Sequence, residues 1–264
     1  MSAAGGNARP LAGRGVLVTR AVHQAGPLTE AIREAGGTPI LFPVIEIQAR
    51  DPEILKRERG ALPAADIVIY ASPNAVEHGF DAAADAAARI AAIGPGTAQA
   101  LAGRGRAPDI QPAQGYDSEH LLAEAALRDV RDRNVLVVRG ERGRELIAST
   151  LRQRGARVDY LSVYRRLPAR HTEDALAAVE RAWRAGDVHV VTVMSVESLD
   201  NLLTALPPYC REALPRTPLV TPSARVIQTA ADRIPAVRAL LAPGPLPADV
   251  LSAVIVAVRE HGND

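Results

Sequence analysis

Short apolar runs recur along the chain, each closed by a polar turn and followed by a segment with apolar residues at helical spacing. Residues 15–45 read GVLVTRAVHQAGPLTEAIREAGGTPILFPVI. Val16-Leu17-Val18 predicts a strand, the segment up to Gly36 a helix with a glycine stop, and the residues after it a second strand. Residues 134–164, NVLVVRGERGRELIASTLRQRGARVDYLSVY, repeat this pattern without a gap at an offset of 119 (134 minus 15). Val135-Leu136-Val137 then matches the first strand, Arg139 matches Arg20, Gly155 matches Gly36 and Val163 matches Val44.

The similarity continues downstream. Ile67-Val68-Ile69-Tyr70-Ala71-Ser72 resembles Val190-Val191-Thr192-Val193-Met194-Ser195, and both serines precede a helical pattern. Gly94-Pro95 corresponds to Thr221-Pro222, and Gly115-Tyr116-Asp117-Ser118 to Gly244-Pro245-Leu246-Pro247. Two copies of an alternating strand–helix unit predict an α/β fold built from two similar doubly wound parallel sheets. Near-continuous apolar strands fit sheets covered on both faces. The polar turns fall at the carboxyl ends of the strands, where open parallel sheets bind ligands.

Composition narrows the function classes. The 264 residues carry a formal net charge of +1, which disfavours a nucleic-acid or membrane-surface binder. Only 3% of the residues are aromatic, so Ala, Val, Leu and Ile must fill the cores. Cys210 is the single cysteine, which excludes a disulfide framework and a thiolate metal cluster. Met1 to Gly15 lacks the apolar core of a signal peptide, and no apolar run reaches membrane-spanning length. A soluble, cytoplasmic protein is expected, with residues 1–10 without regular structure and 207–217 as a loop.

Candidate ligand contacts lie at the strand ends. Ser72, followed by Pro73 and Asn74, reads as a helix start, and free N–H groups there suit carboxylates. It also reads as a structural cap alone. Ser195 is its counterpart in the other copy. Gly94-Pro95-Gly96-Thr97 offers a similar cradle or simply a tight turn, and Ser223 sits in the corresponding glycine-free segment. Arg20 and Arg139 end the first strand of each copy and suit bidentate contact with carboxylates, or a salt bridge; Thr19 stands beside Arg20. The six histidines show no metal-ligand spacing, and His78 and His120 read as exposed helix residues. No dinucleotide fingerprint, phosphate-binding loop or nucleophile elbow is present, and no cofactor is expected.

Across nearly its whole length the sequence resembles uroporphyrinogen-III synthases. The resemblance rests on VLVTR (16–20), PVIEI (43–47), DIVIYASPNAV (66–76), AAIGPGTAQAL (91–101), GYDSEHLL (115–122), VLVVRGERGR (135–144) and SVYRR (162–166). It implies an exchanged arrangement: one domain from 11–42 plus 168–261, a second from 46–164, and 43–47 with 162–168 as a two-stranded linker. It also implies that Tyr164 faces an interdomain cleft and assists catalysis. The implied substrate is hydroxymethylbilane, cyclised to uroporphyrinogen III with inversion of ring D and loss of water. A monomer with transient contact to hydroxymethylbilane synthase is implied as well. The alternative is a non-enzymatic two-domain binding protein for a small anionic ligand.

Overall fold

The computed structural model describes residues 9–83, 85–143 and 145–261. Most of the segment 1–10 therefore lies outside the described residues. In chain order the strands are β1 (Gly15–Val18), β2 (Thr38–Leu41), β3 (Ile45–Ala49), β4 (Ile67–Tyr70), β5 (Arg89–Ala92), β6 (Asn134–Gly140), β7 (Arg157–Pro168), β8 (Val188–Thr192), β9 (Leu219–Thr221) and β10 (Ala239–Leu241). The helices are α1 (Val22–Glu34), α2 (Pro52–Gly60), α3 (Pro73–Ala83), α4 (Pro95–Gly103), α5 (Ser118–Ala123), α6 (Leu146–Gln153), α7 (Glu173–Arg184), α8 (Val196–Ala205), α9 (Pro208–Ala213), α10 (Ala224–Arg233) and α11 (Pro247–His261). The chain divides into two compact units, one up to Glu46 and again from Leu167, the other Ile47–Arg166.

The first unit holds a sheet of order β10-β9-β8-β1-β2, parallel throughout. The strand order reverses between β1 and β8, so that is its topological switch point. Alternation along β1 divides the core: Leu17 packs with Trp183, Val191, Leu199 and Val226 on one face. Val16 and Val18 pack with Leu28, Ile32, Val190 and Val254 on the other. Helices thus cover both faces, α1 and α11 opposite α7, α8 and α10.

The second unit holds the order β3-β7-β6-β4-β5. The β7–β6, β6–β4 and β4–β5 pairings are parallel, and Ile110 adds a parallel bridge to Ala91 beyond β5. Here the order reverses between β6 and β4. Val68, Tyr70, Leu136 and Val138 face Leu55, Val76 and Leu101. Ile67, Ile69, Val135 and Val137 face Leu121, Ile147 and Leu151.

Local chemistry explains the element ends. Gly36 and Gly155, the same position in the two copies, stop α1 and α6 at φ +85° and +89°, a conformation L side chains resist. The Asp51 carboxylate accepts from the N–H groups of Glu53 and Ile54 to start α2, with Pro52 in the first turn. Two expectations are corrected. The segment 207–217 is not a loop: Pro208 opens α9, and Leu214–Arg216 forms a further 3₁₀ turn. Proline's fixed φ and missing donor favour a helix start there, and the buried side chains of Cys210 and Leu214 hold the turns against the core. His78 is half-buried rather than exposed, because α3 turns that face toward Tyr164.

The β1–β8 pairing has no room at its amino end. A Cβ at Gly15 would collide with the Asp187 carbonyl oxygen, where the register between the strands shifts. Gly15→Ala is expected to destabilise the protein by at least about 1–3 kcal/mol, read from the midpoint of urea unfolding. An unchanged midpoint would show that β1 is not held at that point.

Candidate active site

The carboxyl ends of β1 and β8 form a polar rim in the first unit. Thr19 is buried and its hydroxyl donates to the Thr192 carbonyl at 2.6 Å, while the Thr192 hydroxyl donates to the Leu17 carbonyl at 3.1 Å. These bonds tie the two strands at the switch point, so Thr19 holds the rim together. Arg20 follows and is half-buried. One guanidinium nitrogen donates to the Pro245 carbonyl at 2.7 Å, and its Nε is buried without a hydrogen-bond partner. Among the described residues no carboxylate pairs with it. Burial pushes the Arg20 pKa down from its ordinary value, since a desolvated cation has lost its water and gained no counter-charge.

The other two candidates on this unit sit at helix starts. Ser195 caps α8, its oxygen accepting from the Ser198 N–H at 3.1 Å and lying 2.9 Å from the Ser198 hydroxyl. Ser223 occupies the cap position of α10 without a side-chain capping bond, and its own N–H donates to the Thr221 hydroxyl. At this terminus the serine hydroxyl stays off the helix amides.

In the second unit the rim is built on β4, β6 and β7. Ser72 Oγ accepts from the Ala75 N–H at 3.1 Å, as a helix cap should, and lies 3.1 Å from the Tyr164 hydroxyl. Tyr164 is 3% exposed. Its ring presses on Gly140, where a Cβ would stand 2.8 Å from Cζ, and the His78 ring is tilted toward it at 6.1 Å between centroids. Two residues 92 positions apart are thus joined across the strand ends. Asn74 is buried in the first turn of α3.

Arg139 sits differently from Arg20 despite its matching place in the repeat. It is 8% exposed and bonds the Glu145 carboxylate at 3.0 Å and the Gly140 carbonyl at 3.2 Å. The Tyr160 ring lies 4.6 Å from its guanidinium carbon. The Tyr160 hydroxyl donates to the other Glu145 oxygen at 2.5 Å. That bond first, then the one from Arg139, lowers the Glu145 pKa, while burial and the Glu145 contact raise that of Tyr160. The cage occupies the Arg139 guanidinium. Glu145 and Tyr160 were missed in the sequence, although Glu145 stands only six residues beyond Arg139.

Gly94 caps α4 from an extended conformation, φ −173°, and no side chain caps that helix. Thr97 is buried in its first turn, its N–H donating to the Gly94 carbonyl at 3.1 Å. The Gly94–Thr97 turn therefore presents backbone rather than side chains.

These geometries can be set beside known proteins. A family described as uroporphyrinogen-III synthase HemD matches residues 26–237, most of the chain. The chain belongs to the uroporphyrinogen-III synthase family.

Among its relatives, the uroporphyrinogen-III synthase of Escherichia coli is 32% identical over 204 residues, covering 75% of this chain and 82% of that protein. The Proteus mirabilis uroporphyrinogen-III synthase is 30% identical over 197 residues, covering 72% and 98%. The solved uroporphyrinogen-III synthetase of Helicobacter pylori aligns with a TM-score of 0.59 at 11% identity, covering 92% and 99%. A mutant uroporphyrinogen III synthase from the extremely thermophilic bacterium Thermus thermophilus aligns at 0.58 and 21%, covering 94% and 99%. At such identities these two structures speak for the fold alone, an α/β architecture of parallel sheets.

Within this family setting, the Ser72–Tyr164 contact is the most closely built pair of candidate side chains among the described residues. Ser72→Ala is expected to lower stability by about 1 kcal/mol through the lost cap. Combined with Tyr164→Phe, the two changes should be non-additive by about 0.5 kcal/mol or more, read in a double-mutant cycle of urea unfolding. Strict additivity would mean the two hydroxyls do not interact.

Proposed function

We propose that this protein is a uroporphyrinogen-III synthase, cyclising hydroxymethylbilane to uroporphyrinogen III. The observation that carries the reading is Arg20: a half-buried guanidinium at the switch point of a parallel sheet, its Nε unpartnered and no carboxylate paired with it among the described residues. A cation so placed suits a ligand rich in carboxylates. The helix start at Ser223, in the same unit, offers backbone N–H groups to a further anionic arm.

The reaction asks little acid–base power of the protein. The open tetrapyrrole loses its terminal hydroxyl as water, the proton coming from a nearby donor, and leaves a stabilised pyrrolic cation. Ring D attacks through its substituted carbon to form a spiro intermediate, which breaks and recloses with that ring inverted. Uncatalysed closure gives the other isomer, so holding the chain folded is the main task. Ser72 already accepts from the Ala75 N–H, so its own proton can go to the Tyr164 oxygen. The phenol proton is then available to the departing hydroxyl. Because Tyr164 is buried, this role requires the rim to open locally as substrate binds.

In the same reading residues 43–47 and 162–168 are the two-stranded linker between domains 11–42 plus 168–261 and 46–164. The protein works as a cytoplasmic monomer and receives its labile substrate from a separate hydroxymethylbilane synthase. No helix among the described residues is long and apolar enough to cross a membrane.

The test is a coupled assay in which hydroxymethylbilane is generated in place, incubated with the protein, oxidised, and the porphyrin isomers separated. A shift from isomer I to isomer III is expected. An unchanged ratio with folded protein would favour the anion-binding alternative.

A further inference from the structure

The chain has few aromatic side chains, and most of those described are buried or paired with a neighbour. Tyr116 is the exception. At 53% exposure it is the only aromatic among the exposed large hydrophobic side chains of the described residues. It makes no hydrogen bond or ring contact with them.

Its turn, however, is tightly built. Gly115 adopts φ +77°, and the His120 ring fills the space where a side chain at 115 would stand. The Asp117 carboxylate accepts from the His120 N–H at 2.9 Å and lies 2.6 Å from the His120 ring nitrogen. A floppy loop would give an exposed tyrosine no fixed place; this one is anchored on both sides.

The ring base borders the start of α4. A Cβ added at Gly94 would lie 3.4 Å from Tyr116 Cβ and 3.7 Å from its ring carbon Cδ1, ordinary contact distance, so there is room for one methyl group between them. Two residues on, a Cβ added at Gly96 would lie 3.5 Å from the Pro73 ring. Pro73 follows Ser72, whose hydroxyl meets that of Tyr164. Ser72, Pro73, Gly96 and Gly94 therefore lie between buried Tyr164 and exposed Tyr116 within this one unit.

We infer that Tyr116 is a substrate-contacting residue whose ring stacks on a pyrrole of the tetrapyrrole, at the far end of the rim from Tyr164. This rests on the synthase reading above. A pyrrole is a flat, electron-rich ring, and an anchored phenol offers it a face at little entropic cost. Where the reaction depends on how the chain is folded, a stacked ring selects the conformation as well as adding affinity.

The test compares the unsubstituted protein with Tyr116→Ala and Tyr116→Phe in the isomer assay. For Tyr116→Ala the KM is expected to rise about three- to tenfold with kcat nearly unchanged. A larger share of isomer I should appear, and the thermal midpoint should not move. Tyr116→Phe should behave like the unsubstituted protein. An unchanged KM and isomer ratio for Tyr116→Ala, with isomer III made by the unsubstituted protein, overturns the contact and leaves the synthase reading intact. An equal loss in both variants also overturns it, since a hydroxyl rather than a ring face would then be at work. If the unsubstituted protein makes no isomer III, the synthase reading fails and the contact fails with it.

Discussion

Two strand pairings made across long stretches of chain, β1 with β8 and β6 with β4, each carry the candidate rim of one unit. Each joins the opening strand of one copy of the repeat to the later strands of the other copy. Each is also where strand order reverses, so the flanking loops diverge to opposite faces and leave the carboxyl ends open. The Thr19–Thr192 and Ser72–Tyr164 contacts stand on these pairings. Long-range parallel pairing must close large loops before it is rewarded, so the rims form only when each unit is essentially complete.

The two rims handle charge in opposite ways. Arg139 is buried in a cage made by Glu145, Tyr160 and the Gly140 carbonyl, so its charge is neutralised internally. Arg20 has, among the described residues, one carbonyl contact, a buried Nε and no carboxylate. Leaving a desolvated cation unpaired is unfavourable to folding, and such features belong to sites where a ligand completes the structure. The repeat thus supplies two arginines at the same position and the surroundings differentiate them.

Much of the fold was legible in the sequence. The apolar runs at 16–18, 67–70, 135–138 and 190–192 are strands, and Gly36 and Gly155 end helices as their spacing suggests. The partner of each strand was not legible from the pattern. Val16-Leu17-Val18 and Val135-Leu136-Val137 are near-identical in character, and periodicity holds no record of which sheet a strand joins. Segment 207–217, expected as a loop, carries prolines, but proline in a first helical turn is compatible with a helix. At the site, strand-end positions were readable because turns announce them. Side-chain meetings such as Ser72 with Tyr164, or Arg139 with Glu145 and Tyr160, depend on tertiary placement that residue types alone do not carry. Tyr116 stood within a quoted motif, but its significance lies in exposure, a property of the folded chain.

In the proposed reading the rim at β1 and β8 holds an unpaired cation for an anionic substrate, at some expense to stability. Arg20→Met separates the two halves of that statement in one pair of measurements, urea unfolding without substrate and KM for isomer III formation. The unfolding midpoint is expected to equal or exceed that of the unsubstituted protein. The KM is expected to rise about tenfold or more, as for loss of a charge-assisted hydrogen bond, with isomer III still formed. A lower midpoint with unchanged KM would make Arg20 a structural residue and contradict the account.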